Sequence, residues 1–324
     1  MSDIVGIGEL LVDFTYVSGE NGDTFYKQNA GGAPANVMCM AAKLGAKTGF
    51  IGKIGRDMFG FYLKEVLTRH KVDTSGLILD PNYSTTLAFV RNSADGDRDF
   101  VFYRSSQTSA DLNLRYGEVN RQLIDSCRIF HFGSLSLTDE PSRTATVNAV
   151  EYAKMQEKIV TYDPNWRPHL WGNKESAIRT MRSAAQYADI VKVSELELQL
   201  LSDSGALIPG VAKLLQMGVK IICVTQGAKG CIIATPKGIN RFPAYKTKTV
   251  DTLGSGDGFF GAFLYKFLET GKSIEELDSD DIKEMAMFSN ACGALCASMQ
   301  GAIPAMPEKS DIEALIKAQP LKDE

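Results

Sequence analysis

An aspartate set among glycines just ahead of an apolar helical pattern is the chain's most informative chemistry. The stretch Asp251-Thr252-Leu253-Gly254-Ser255-Gly256-Asp257-Gly258 runs directly into Phe259, Phe260, Phe263, Leu264 and Phe267, whose spacing predicts a helix. Glycines before a helix let the backbone turn its free N–H groups toward one point, and the helix dipole adds positive potential there, so the place holds an anion. A carboxylate in the first turn would repel that anion if binding were the whole task. Asp257 makes sense as a base for a hydroxyl attacking a bound phosphate. The bland alternative is a glycine-rich loop with Asp257 as a favourable first-turn charge.

Other patterns fall away on inspection. Gly256, Gly258 and Gly261 satisfy the dinucleotide fingerprint G-x-G-x-x-G, which would make an NAD-dependent oxidoreductase, but they sit late in the chain and two of them fall inside the expected helix. Gly271-Lys272-Ser273 resembles the end of a P-loop, yet the position five residues earlier is Lys266, not glycine. His70, His131 and His169 are not spaced as a metal pair and read as structural. The six cysteines, at 39, 127, 223, 231, 292 and 296, form no C-x-x-C pair and read as buried thiols in a reducing cytoplasm. Cys292 and Cys296 stand four apart in a predicted helix, where small buried residues explain them better than a shared ligand. Trp166 and Trp171 flank another candidate loop and suit packing as well as stacking on adenine.

The elements that must position this chemistry follow a βαβ rhythm. Strands are predicted at Ile4 to Ile7, Thr48 to Ile51, Arg128 to Phe132, Lys158 to Tyr162, Asp189 to Val193 and Lys220 to Val224, with helices from Pro34 to Leu44 and Asp57 to Arg69. A mostly parallel, helix-flanked sheet is therefore expected. Leu10 to Gln28 and Thr85 to Tyr103, the latter with a turn at Asp95-Gly96-Asp97, read instead as antiparallel strands of a small inserted sheet. Leu87, Phe89, Phe100 and Phe102 are expected to give that sheet one apolar face, covered by a sugar-sized ligand or a second subunit.

With 324 residues, 44% of them apolar, the chain is long enough for one large core and a smaller appendage. Its 35 basic against 39 acidic residues, net −4, argue against nucleic acid as partner. No apolar run approaches the roughly 18 residues a spanning helix needs, and the first residues lack a basic segment, so neither membrane insertion nor secretion is expected.

Asp251 to Leu264 resembles the C-terminal signature of the ribokinase-like (PfkB) sugar kinases. The N-terminal signature of that family is similar to Ala30-Gly31-Gly32-Ala33-Pro34-Ala35-Asn36, continued by Leu44-Gly45 and Gly52-Lys53-Ile54-Gly55-Arg56-Asp57-Met58-Phe59-Gly60. Gly8-Glu9-Leu10-Leu11-Val12-Asp13, Phe102-Tyr103-Arg104, Tyr162-Asp163-Pro164-Asn165-Trp166-Arg167-Pro168 and Gly301-Ala302-Ile303-Pro304 look most like fructokinases. The resemblance implies one three-layer α/β/α kinase domain over residues 1–324, with a mostly parallel central sheet and β-lid strands inserted at about 10–28 and 85–104.

It further implies Asp257 as catalytic base, with the amides of Gly254, Ser255 and Gly256 around the transferring phosphate. Arg167, whose planar fork suits phosphate oxygens, joins them; a surface arginine would look the same. Sugar contacts are implied for Asp13, Gly31, Gly32, Asn36, Asn165 and Asp257, and for Arg104 as a lid residue reaching over the sugar. Lys192, Ser194, Thr225, Gly227, Gly230, Gly254, Gly256 and Asn290 are implied for the nucleotide. Glu197 falls where the family's Asn-x-x-Glu ties an acid to magnesium, although Ser194 replaces the asparagine. Leu253, Ser255 and Gly258 also depart, from threonine, alanine and alanine. ATP, Mg2+ and a monovalent cation such as K+ are the implied cofactors. The implied reaction converts fructose to fructose 6-phosphate in a homodimer joined through the lid, with 2-keto-3-deoxygluconate kinase as the nearest alternative.

Overall fold

The computed structural model describes residues 2–18, 21, 23–92 and 98–320. Its main sheet holds β1 (Ile4–Ile7), β4 (Thr48–Gly55), β5 (Asp73–Asp80), β8 (Ile129–Gly133), β9 (Ile159–Asp163), β10 (Ile190–Ser194), β11 (Ile221–Thr225), β12 (Cys231–Thr235) and β13 (Gly238–Phe242). The lid sheet holds β2 (Leu11–Ser18), β3 (Thr24–Gly31), β6 (Leu87–Asn92) and β7 (Arg98–Tyr103). The helices are α1 (Ala33–Leu44), α2 (Met58–Arg69), α3 (Arg121–Ser126), α4 (Ser142–Met155), α5 (Lys174–Ala185), α6 (Glu195–Ser202), α7 (Leu207–Gln216), α8 (Ser255–Thr270), α9 (Ser279–Ala297) and α10 (Lys309–Ala318).

The main sheet runs β13-β12-β11-β10-β9-β8-β1-β4-β5, parallel from β11 to β5, with β12 and β13 antiparallel at one edge. From β1 the chain steps outward to β4 and β5, then returns to β8 on the other side of β1. That reversal opens a crevice at the carboxyl ends of the central strands, the usual ligand position in open α/β sheets. Strands buried on both faces need two apolar layers, which is why the expected single core is in fact two clusters. Ile4, Phe50, Phe260 and Phe263 belong to one, and Val5, Ile7, Phe130 and Val191 to the other.

Helix α8 is the best anchored of the candidate elements. Phe259, Phe260, Phe263, Leu264 and Phe267 are all buried, each contributing roughly 1.5–3 kcal/mol by leaving water. The helix packs between α1 and α9. It begins at Ser255, earlier than its apolar pattern suggests, so all three glycines of the decoy fingerprint lie inside it and only Gly254 precedes it. Gly258 faces α9, where an added Cβ would stand 2.5 Å from Cys296 Sγ. Gly258→Ala is therefore expected to lower stability by about 1–3 kcal/mol through overpacking, and Cys296→Ala in the same chain to restore most of it. Urea unfolding of the three variants checks this; an equal cost in both backgrounds would show that the clash is not the cause. Cys292 Sγ donates to Gly258 O at 3.3 Å, and all six cysteines are free and buried.

The lid consists of two antiparallel hairpins, β2 with β3 and β6 with β7, joined by parallel pairing of β2 with β6. Its register corrects one expectation. Leu87 pairs with Tyr103 and Phe89 with Val101, whereas Phe102 pairs with Ala88. Paired residues share a face, so Phe102 lies opposite Leu87 and Phe89; the side chain of Phe100 lies outside the described residues. The outer face instead collects Phe14, Tyr26, Phe89 and Tyr103, with Phe14 stacked on Phe89 at 5.1 Å and Tyr26 and Tyr103 edge-on to Phe89. The turn expected at Asp95-Gly96-Asp97 lies outside the described residues.

Candidate active site

Two helix N-termini converge on the crevice beside β1 and β8. At α1, Gly32 adopts φ 114°, closed to side-chain residues because a Cβ would strike the Glu9 carbonyl, and Ala33 N–H donates to Glu9 Oε1 at 2.9 Å. At α8, Gly254 adopts φ 75° and starts the helix. Asn36, in the first turn of α1, donates through Nδ2 to Asp257 Oδ2 at 2.8 Å, tying the helices together across the site. Both residues are buried.

A cavity of about 170 Å3 opens here, lined by Asp13, Gly32, Asn36, Asn165, Arg167, Lys192, Gly254, Gly256 and Asp257 from the expected set, Lys192 being expected at the nucleotide instead. Glu9, Phe102, Leu135, Thr252 and Leu253 line it too, the first three from separate parts of the chain. Phe102 reaches it from the lid's inner face, as does Asp13. Gly31 contributes by what it lacks, since a Cβ there would fall on Asp13 Oδ2. Asn36 Oδ1 and Glu9 Oε2 are buried without partners, an expensive condition that a hydroxyl-rich ligand would relieve.

A second cavity, of about 440 Å3, shares Gly256 and Thr252 with the first. Thr225, Gly227, Gly230, Ser255 and Asn290 line it. Gly227 and Gly230 bracket the turn between β11 and β12 at φ 57° and 96°. Asn290 Nδ2 holds that wall by donating to Phe242 O and Pro243 O at 3.1 and 3.0 Å. Tyr245 Oη and Ser255 Oγ are buried here without partners. Ser255 N–H is spent on Thr252 O at 3.2 Å, whereas the amides of Gly254 and Gly256 take no acceptor among the described residues. Those two are the donors free to meet an anion at the junction.

Electrostatics support a base there. Burial raises the pKa of Asp257 to about 6, with the Asp163 charge pushing the same way, while Lys192, the Asn36 hydrogen bond and Arg167 limit the rise. Burial likewise pushes Glu9 up to about 7. His131 is neutral, because burial and the Lys192 charge lower its pKa to about 3.

Three expected residues stand elsewhere. Arg104 does not line the cavity: its guanidinium is spent on Asp111 Oδ2 at 2.7 Å, Thr138 Oγ1 at 2.9 Å and Leu135 O at 2.9 Å, beneath the lid. Ser194 caps α6 in a box with Glu197, whose Oε2 accepts from Ser194 N and Oγ at 2.7 and 2.9 Å. Glu197 Oε1 accepts from Trp166 N at 2.7 Å, so this carboxylate fixes the loop carrying Arg167. Among the described residues no group of three His, Cys, Asp or Glu side chains could cage a metal, and no helix is long and apolar enough to cross a membrane.

Comparison with known proteins bears on the family. The model of the pfkB family carbohydrate kinases matches residues 1–309. A probable fructokinase-5 of Arabidopsis thaliana is 42% identical over 322 residues, covering 98% of each chain. Among solved structures, a fructokinase with bound ATP from Xylella fastidiosa superposes with a TM-score of 0.90 at 32% identity, over 99% of this chain and all of that one. A fructokinase double mutant from Vibrio cholerae, bound to fructose, ADP and potassium ion, gives 0.86 at 30% identity, over 97% and 98%. With its sheet, its paired cavities and a family match over nearly its whole length, the chain belongs to the pfkB family of carbohydrate kinases.

Proposed function

We infer that the protein is an ATP-dependent fructokinase that transfers the γ-phosphoryl group to free fructose and makes fructose 6-phosphate. One observation carries the reading: buried Asp257 stands at the junction of two cavities that share Gly256 and Thr252. Sugar in the smaller cavity and nucleotide in the larger would place a hydroxyl and a phosphoryl group on either side of that carboxylate. Asp257 takes the hydroxyl proton, and the amides of Gly254 and Gly256 with Arg167 receive the charge of the transferring group. Asp13, Asn36 and Asn165 orient the sugar. The product assigns the hydroxyl: phosphorus NMR of the reaction with fructose is expected to show the 6-phosphate, and fructose 1-phosphate would overturn that assignment.

Magnesium enters on the nucleotide. It is usually held by substrate phosphates and waters with one or two carboxylates, and Glu197, whose oxygens here accept from Trp166 and Ser194, is the acid the family resemblance offers for it. Bound there, it neutralises phosphate charge. A monovalent cation, as in the Vibrio cholerae structure bound to potassium ion, is a second expected cofactor. Residues 1–324 form a single kinase domain on this reading, working in a reducing cytoplasm that suits six free buried thiols.

The lid's outer face supports a homodimer. Tyr26, Val101 and Tyr103 are 49%, 55% and 66% exposed beside the Phe14–Phe89 stack, an apolar patch that a second copy would cover. Light scattering is expected to give twice the chain mass of 35.3 kDa, and Tyr103→Asp to give the single-chain mass. A single-chain mass for the wild type at micromolar concentration would leave the patch without a partner copy.

A further inference from the structure

One wall of the larger cavity is held without a strand. Ala244, Tyr245, Lys246, Thr247 and Thr249 line that cavity, yet among the described residues positions 243–249 make no backbone–backbone hydrogen bond. Side chains hold the segment instead. Asn290 donates to Phe242 O and Pro243 O at its start, and Thr247 Oγ1 donates to Ala294 O at 2.9 Å, so two of its anchors lie on α9. A third comes from α10. Lys246 N–H donates to Gln319 Oε1 at 2.9 Å, and Gln319 Nε2 donates to Lys246 O at 3.0 Å, across 73 residues of sequence. A carboxamide that meets both peptide groups of one residue does what a neighbouring strand would do.

Gln319 is itself fixed. Its N–H donates to Leu315 O at 3.0 Å and closes α10, a helix docked by fully buried Ile312 and by Lys309 Nζ on Tyr265 Oη at 2.7 Å and Glu269 Oε1 at 2.8 Å. No residue of α10 lines either cavity. The helix therefore reaches the nucleotide side of the site only through the backbone of Lys246. Beside that backbone, Tyr245 is 4% exposed and its hydroxyl is buried without a partner. Holding the peptide groups of Lys246 sets which way Tyr245 faces.

We propose that Gln319 is a positioning residue for the nucleotide, holding the backbone of Lys246 so that Tyr245 and Thr247 present a preformed wall to ATP. This role rests on the kinase reading. A segment without backbone hydrogen bonds opens locally at little cost, so ordering it on binding would subtract from affinity. Gln319 ties it to a docked helix before ATP arrives. The effect falls on the nucleotide, because no residue of 243–249 lines the smaller cavity. Between this segment and Asp257, the N–H groups of Val250 and Asp251 donate to Ala297 O at 2.8 and 3.1 Å, a separate tie to α9 that keeps the catalytic loop in place when the wall loosens.

Two variants of the full chain test this, Gln319→Ala and Lys309→Ala, by calorimetry with ATP and steady-state kinetics with fructose. Gln319→Ala is expected to raise the Kd and KM for ATP about 5- to 20-fold, the size of two exposed peptide hydrogen bonds, with kcat and the KM for fructose within about twofold of wild type. Amide hydrogen exchange at 244–249 should quicken in that variant and slow again when ATP is added. Lys309→Ala removes the bonds to Tyr265 and Glu269 without touching Lys246. It should lower the urea midpoint and leave the Kd for ATP within about twofold. An equal rise in that Kd for Lys309→Ala would overturn the proposal, because the docking of α10 as a whole would then set the wall. A loss in Gln319→Ala shared by kcat and the KM for fructose would overturn it as well. Wild type is the control: if it binds no ATP, the kinase reading falls and this role with it, whereas equal ATP binding by wild type and Gln319→Ala overturns the role of Gln319 alone.

Discussion

Asp257→Asn is expected to cut kcat by about 10² to 10⁴ while leaving the binding of ATP and fructose close to wild type. Asparagine keeps the size and the first-turn position, so α8 should still form, and the lost charge should if anything favour a phosphate at the helix end. What disappears is the proton acceptor. The wild-type pH profile carries the same signature. Burial holds the carboxyl of Asp257 near 6, and only its ionised form accepts a proton, so kcat/KM should fall tenfold per pH unit below about 6 and flatten above it. The variant should lose that acid limb. Lost sugar binding would make Asp257 a ligand contact instead, and an unchanged kcat would reduce it to a helix charge. Single-turnover phosphorylation beside calorimetry separates these results.

Gly31→Ala is expected to raise KM for fructose about 10- to 100-fold with a smaller change in kcat and none in the Kd for ATP. The added methyl would fall on Asp13 Oδ2, and of the two groups the carboxylate is the one that can swing away. Displacing one charged hydrogen-bond partner of a sugar hydroxyl costs roughly 1.5–3 kcal/mol, which sets that range. Steady-state kinetics with fructose and calorimetry with ATP check it. An unchanged KM would remove Asp13 from the sugar site, and a parallel loss of ATP affinity would point to damage spreading through α1.

The main sheet was legible because its central strands are short apolar runs rich in β-branched residues, such as Ile221-Ile222-Cys223-Val224, that suit a strand buried on both faces. Edge strands gave no such signal. β5 reads Asp-Thr-Ser-Gly before its apolar half, and β13 is mostly exposed, so neither shows a run or a clean alternation. The lid's strands were visible but its faces were not. Which residues share a face depends on the pairing of Leu87 with Tyr103, a register set by the intervening connection and not by the apolar spacing in either strand.

At the site, the glycines ahead of the apolar helical spacing singled out Asp257, and the family resemblance added Asn36 and Asp13; all three line the smaller cavity. Arg104 shows the limit. A basic residue at a lid strand's end looks the same whether it faces ligand or folds back, and Asp111, seven residues on, decides it. Glu9 and the pairing of Lys192 with Asp163 were illegible for a related reason: one is an acid within an apolar run, and the other joins residues 29 apart through strand register.

The most direct measurement is a coupled ADP-release assay with ATP and magnesium across a panel of free sugars that includes fructose and 2-keto-3-deoxygluconate. The fructokinase reading expects sugar-dependent ADP release with the highest kcat/KM on fructose. A higher kcat/KM on 2-keto-3-deoxygluconate, or no release with any free sugar, would contradict it.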